Sequence, residues 1–130
     1  LAPISSVISG GEMSRFLLAL KFNLSKLSNT IFFDEIDNGL SGKSLLTTIN
    51  LIKKIALNQQ ILCITHHPLL ASSADIHYKV QKTISNGLTS TTLRNLITIK
   101  EKQNELAELI GGGFNEASNY ALSLLNKEAA

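Results

Sequence analysis

At 130 residues, 44% apolar and 17% charged, the chain has the size and balance of one folded domain, and its one cysteine excludes a disulfide scaffold. Its apolar runs are far shorter than the ~20 residues a membrane-spanning helix needs, and no signal-peptide pattern opens it, so membrane and secreted classes are not expected. Twelve basic and ten acidic side chains leave a net charge of +2, too little to argue for a nucleic-acid-coating surface.

The only methionine is Met13, so the chain does not open on a translation start and reads as a piece of something longer. From Glu12 to Leu27, Met13, Phe16, Leu17, Leu20, Leu24 and Leu27 recur at helical spacing, and Ser9 with Glu12 forms the S-x-x-E pattern of a capping box. Ser28-Asn29-Thr30 breaks this helix, and Ile31-Phe32-Phe33 predicts a buried strand running into acids. A second helical pattern covers Ser44 to Leu57, with Leu45, Ile49, Ile52, Ile55 and Ala56 as its apolar set, and a second buried strand covers Ile61 to Thr65. Strand, helix, strand at this spacing is a βαβ unit with parallel strands. Cys63 lies in an apolar run and is expected to be a buried small hydrophobe in a reducing compartment.

After Pro68, the alternation of Ile76, Tyr78 and Val80, then Asn86-Gly87, then Leu88 to Leu96 predicts an antiparallel hairpin. Thr98 and Glu101 predict a capped helix through Ile110, stopped by Gly111-Gly112-Gly113. Asn115 opens a last helix with Ala117, Tyr120, Ala121 and Leu124 on one face. The chain has no internal repeat, linker or low-complexity tract. Lys53, Lys54, Lys79, Lys82, Lys100 and Lys102 are scattered enough to be solvated, and His77 is expected on a strand surface.

Three stretches bear chemistry. Ser9-Gly10-Gly11-Glu12 combines a helix start, whose unpaired N–H groups attract phosphate, with glycines that permit close approach; a capping box with flexible glycines accounts for the same residues. Asp34 and Glu35 end a strand at the edge where parallel sheets bind ligands, so one carboxylate can hold Mg²⁺ while the other takes a proton from water; solvated acids in a turn are the plain alternative. Asp37 and Gly39 follow in a polar turn. Thr65-His66-His67-Pro68 ends the second strand, where a histidine can orient a phosphate, ligate a metal or serve as a hydrogen-bonded loop residue. Their convergence on one sheet edge favours a phosphate-handling site. Ser41-Gly42-Lys43-Ser44 imitates the end of a P-loop, but the position five before Gly42 is Asp37 rather than glycine, and a helix start explains it better.

The order Ser9 to Arg15, then Ile31 to Asp37, then Thr65-His66 resembles the signature motif, Walker B, D-loop and switch histidine of ABC-type ATPase heads, most closely the SMC-like branch. Within it, Ser9 to Arg15, Asp34 to Asp37 with Gly39 and Gly42, Thr65-His66 with Pro68, and Glu105 to Gly112 are similar to the RecN family of bacterial DNA-repair proteins. The likeness covers nearly the whole chain. It implies an α/β fold, the C-terminal lobe of an ABC/SMC-type P-loop NTPase head, with residues 1–130 as a single domain whose Walker A lobe and coiled coil are absent. Asp34 would then help hold Mg²⁺ through water, Glu35 would polarise the attacking water, and His66 would contact the γ-phosphate of ATP. Ser9, Gly10 and Gly11 would meet ATP held by a second head, Asp37 would belong to the loop communicating across that dimer, and Arg15 would support the signature helix or the phosphate. The implied partners are a second copy of the head, the chain's own N-terminal Walker A lobe and DNA, in the bacterial cytoplasm on the nucleoid, with no membrane. The competing expectation is a metal-dependent hydrolase or nuclease with Asp34, Glu35, Asp37, His66 and His67 as ligands, which leaves Ser9-Gly10-Gly11 unexplained.

Overall fold

The computed structural model describes residues 16, 18–20, 30–85, 87–112 and 115–128. The chain divides into two compact units, one ending at His66 and the other beginning at His67.

In the first unit, β1 (Thr30–Asp34) and β2 (Gln60–Ile64) pair in parallel, Ile31 opposite Ile61 and Asp34 opposite Ile64, with α1 (Gly42–Ala56) between them in sequence. This is the expected βαβ order. Leu45, Thr48, Ile49, Ile52 and Ile55 form the buried face of α1, which packs on β2. Ser44 closes the helix start: its hydroxyl accepts from the Ser41 N–H at 3.4 Å and donates to the Ser41 carbonyl at 2.8 Å, so Ser41 to Ser44 initiate a helix, as their sequence suggests. Both strands were expected to be buried throughout. They are buried on one face only: Ile31 and Phe33 are enclosed, whereas Phe32, Leu62 and Ile64 stay about half exposed. Side chains alternate across a strand, and α1 covers a single face of the pair.

Of the helix expected from Glu12 to Leu27, Phe16, Leu18, Ala19 and Leu20 are helical and the rest lies outside the described residues. Leu18 is the enclosed side chain there, while Phe16 and Leu20 of the expected stripe are exposed. Apolar residues at every position from 16 to 20 leave periodicity unable to select the face.

The second unit opens with α2 (Pro68–Ser72), which periodicity did not reveal. Then β3 (His77–Ser85) and β4 (Leu88–Leu96) pair antiparallel, followed by α3 (Ile99–Ile110) and α4 (Asn115–Glu128). Ser85 pairs with Leu88 across a two-residue connection in which Gly87 takes a φ of 75°, a conformation that favours glycine. The capping box of α3 forms as expected: Glu101 N–H donates to Thr98 Oγ1 at 3.2 Å, and Thr98 N–H donates to Glu101 Oε2 at 3.0 Å. Gly111 ends the helix with a φ of 128°. The core joins Ala71, Leu106 and Ala121, with Ala107, Leu109, Ile110 and Leu125 against it.

Three surface expectations change in this unit. Tyr120 is 47% exposed although Ala117, Ala121 and Leu124 beside it in the pattern are buried, because the contact face of α4 is narrower than its apolar stripe. His77 and Lys79, assigned to solvent, are the partly enclosed residues of β3, while Ile76, Tyr78 and Val80 are exposed. The reason is chemical: Lys79 forms ion pairs with Glu105 and Glu108 of α3, so the polar side of β3 turns toward that helix. Lys102, also expected to be solvated, donates to the Asp75 carbonyl at 3.3 Å.

Candidate functional site

The parallel pair delivers its chemistry at the carboxyl end. Asp34 is the last residue of β1, and the Glu35 N–H donates to the Ile64 carbonyl of β2 at 3.0 Å, extending the ladder one step beyond the strand. Glu35 takes a φ of 46°, the left-handed region that a side chain with a Cβ enters at a cost of about 1–3 kcal/mol. Such strain persists where the surroundings over-determine the backbone. Here Asn38 N–H returns to the Glu35 carbonyl at 3.0 Å and Leu40 N–H to the Asp37 carbonyl at 2.9 Å, while Ile36 and Leu40 are buried. The strained residue therefore opens a turn pinned on its inner side by two apolar anchors. The Asp34 and Glu35 side chains are exposed. Both are hard oxygen donors of the kind Mg²⁺ prefers.

Asp37 behaves differently from its neighbours. The sequence placed it in a polar turn; the backbone is indeed a turn, but the residue is only 4% exposed. Its Oδ2 accepts from the Thr65 hydroxyl at 2.7 Å, and its Oδ1 is buried with no hydrogen-bond partner among the described residues. Thr65 follows β2 directly and precedes the exposed His66. Asp34, Glu35, Asp37, Thr65 and His66 thus share one edge. Thr65 stands in the sequence only as the neighbour of His66; a hydroxyl leaving a strand beside an acid-rich loop is the signal that marks it.

Burial pushes the Cys63 thiol up to about 11, with the Asp37 and Asp34 carboxylates adding to the effect. Cys63 is half-buried rather than enclosed as expected, and a thiol held protonated at neutral pH is a poor nucleophile. His67 caps α2: its Nδ1 accepts from the Leu69 N–H at 3.3 Å. Among the described residues, no three His, Cys, Asp or Glu side chains come together as a metal centre, so nothing favours the hydrolase built on Asp34, Glu35, Asp37, His66 and His67. Ser9, Gly10, Gly11 and Arg15 lie outside the described residues. An open concavity of about 530 Å³ in the second unit, lined by Ile110, Glu116 and Tyr120 among others, involves none of the candidate site residues.

No family model matches the chain. Its sequence is 42% identical to the DNA repair protein RecN of Synechocystis sp., covering 98% of this chain and 25% of that protein. RecN of Deinococcus radiodurans is 36% identical over 96% of the chain, and RecN of Bacillus subtilis 39% identical over 86%. This chain is a RecN relative. It spans about a fifth to a quarter of the length of the RecN proteins it matches. Among solved structures, it resembles a chain described under the structural biochemistry of ATP-driven dimerization and DNA-stimulated activation of SMC ATPases. The TM-score is 0.58 at 22% identity, covering 84% of this chain and 66% of that one. The α/β fold expected for this RecN relative is therefore the one it has, and the SMC likeness speaks to fold alone. No helix among the described residues is long and apolar enough to cross a membrane.

Proposed function

We propose that the chain is the C-terminal part of the head of an SMC-like ATPase of the RecN type, acting in DNA double-strand break repair and recombination. ATP is hydrolysed at a composite site between two heads. The observation that carries this reading is the shared edge: the Glu35 N–H to Ile64 carbonyl bond sets the end of β1 beside the end of β2, so Asp34-Glu35 and His66 emerge together.

Phosphoryl transfer needs little from a protein beyond position and charge. In this reading Glu35 accepts the proton of the attacking water, and the strained turn fixes where its carboxylate begins. Asp34 would help hold a Mg²⁺ ion, and His66 meets the γ-phosphate of ATP. Bound Mg²⁺ would supply positive charge to the phosphate oxygens. Ser9, Gly10 and Gly11 complete the ATP site of the partner head, and the loop carrying Asp37 lies at that junction. The chain's own N-terminal Walker A lobe supplies the phosphate cradle, since Gly42-Lys43-Ser44 starts an ordinary helix and cannot replace it. Alone, the chain neither binds ATP tightly nor hydrolyses it. The complete protein works on DNA in the cytoplasm, at the nucleoid.

The test uses complementation in the complete protein. A head carrying Ser9→Arg, mixed with a head lacking its Walker A lysine, should rebuild one working site, because the first brings the P-loop and the second an intact signature. Heterodimers with no recovered hydrolysis would defeat the composite arrangement.

A further inference from the structure

We propose that Asp37 and Thr65 act as a positioning pair that keeps the His66 end of β2 in register with the Glu35 turn; the proposal rests on the reading above, in which Glu35 and His66 serve ATP hydrolysis.

A turn needs no buried acid. Aspartate favours turns through local hydrogen bonds that it makes equally well in water, whereas removing a carboxylate from solvent is costly unless donors replace the lost water. Asp37 is 4% exposed, and among the described residues its Oδ2 accepts from the Thr65 hydroxyl at 2.7 Å while Oδ1 is left unmatched. A buried carboxylate with unused acceptor capacity is a weak stabiliser. What the bond does provide is geometry.

It joins two segments 28 residues apart. One is the turn that opens at Glu35; the other is the exit of β2, which continues into His66. The backbone bond from Glu35 to Ile64 ties the same segments one residue earlier. Two ties at successive positions suppress rotation of one segment against the other, which a single tie would permit. Alternation then sets direction. Along Ile61 to His66, half-buried and exposed residues alternate without a break, so a Thr65 side chain held inward by Asp37 leaves His66 facing outward. Without the inward bond, the strand exit loses the contact that chooses the face of its last residues.

The experiment uses the complete protein with five variants, reading ATP hydrolysis as kcat and KM separately. Thr65→Val, which keeps shape and removes the hydroxyl, should lower kcat about tenfold, the scale of one hydrogen bond lost in the transition state, with KM for ATP within about twofold. Thr65→Ser restores the hydroxyl and should recover most of kcat, a rescue that a packing role for the γ-methyl would not produce. Asp37→Ala, which removes the acceptor, should also lower kcat, and combining it with Thr65→Val should cost no more than the worse single change, since both remove one interaction. Glu35→Gln serves as the reference. If Glu35→Gln hydrolyses ATP normally, the functional reading fails. If Glu35→Gln is inactive while Thr65→Val turns over at the unmodified rate, or while Thr65→Ser is as slow as Thr65→Val, the positioning pair alone is overturned. Should Thr65→Val fail to fold, Thr65→Ser and Asp37→Ala decide: Asp37→Ala at full kcat overturns the pair, and Asp37→Ala slowed beside an active Thr65→Ser supports it.

Discussion

In the unit ending at His66, Asp34, Glu35 and His66 stand exposed at one sheet edge with no side-chain hydrogen bond or ion pair among the described residues, and Asp37 is buried with one oxygen unmatched. In the unit beginning at His67, charges are consumed internally: Lys79 by Glu105 and Glu108, Arg94 by Glu101 at 3.3 Å, and Glu101 also by the N-cap of α3. Gln103 likewise donates to the Ser118 hydroxyl at 2.9 Å, linking α3 to α4. Polar groups whose capacity is met locally hold a fold together, whereas groups left unmet on a rigid edge remain available to a ligand. Under the proposed function the contrast separates a reactive unit from a supporting one, and substitutions in each should separate activity from stability.

The largest expected effect lies in the supporting unit. Leu106 is wholly enclosed against Ala71 and Ala121, so Leu106→Ala should destabilise by about 2–5 kcal/mol through lost burial and the cavity left behind. Denaturant unfolding measures the loss, and hydrolysis per folded molecule of the complete protein should stay unchanged. A rate defect in the folded fraction would blur the division between the units.

Glu35→Gln is the converse. It should leave the denaturation midpoint nearly unmoved and reduce turnover by at least ~10²-fold, as expected for removal of a general base, while ATP is still bound. Near-normal hydrolysis would take Glu35 out of the reaction.

The comparison also shows what could be seen in the sequence. Where one local rule determined the outcome, the expectation held: helical period for α1, Asn86-Gly87 for the hairpin register, and the S/T-x-x-E pattern of Thr98 and Glu101 for α3. The short helix α2 escaped because five residues are too few for a period, although His67 as cap and Pro68 at the first position were its signal. Misplaced residues share a different cause. Asp37 is buried because of Thr65, 28 positions away, and the His77–Lys79 side of β3 is covered because of Glu105 and Glu108. No window along the chain contains both partners. The shared edge of Asp34, Glu35 and His66 was legible because the βαβ rule itself is long-range and fixes which strand ends meet.

A smaller effect tests the capping network. Thr98→Ala removes the acceptor for the Glu101 N–H and should cost ~0.5–2 kcal/mol, read as a lower denaturation midpoint with unchanged hydrolysis. Glu101→Ala should resemble it, because both residues belong to one reciprocal cap, and the double change should fall well short of the sum.

The smallest effect concerns His77, the partly enclosed residue of β3 whose Nδ1 is buried without a hydrogen-bond partner among the described residues. Burial lowers its pKa from the ordinary value of 6.5; Glu105 opposes that shift and Lys102 adds to it. The unfolded chain therefore binds a proton at a pH where the folded chain does not, and linkage gives a stability that is full above about 6.5 and declines as pH falls toward the lower folded value. Glu101 acts in the same direction at more acidic pH, because hydrogen bonds from Thr98 hold its carboxyl below the ordinary 4.5. The His77 window opens at higher pH than the Glu101 window, which lets the decline nearest neutrality be assigned to His77. Denaturant midpoints measured from pH 7.5 to 5.5 should fall for the unmodified protein and stay level over that interval for His77→Gln, which cannot take up the proton. Glu101→Gln should keep the decline. An identical slope in His77→Gln would assign the decline to another group and leave His77 as a spectator in the supporting unit.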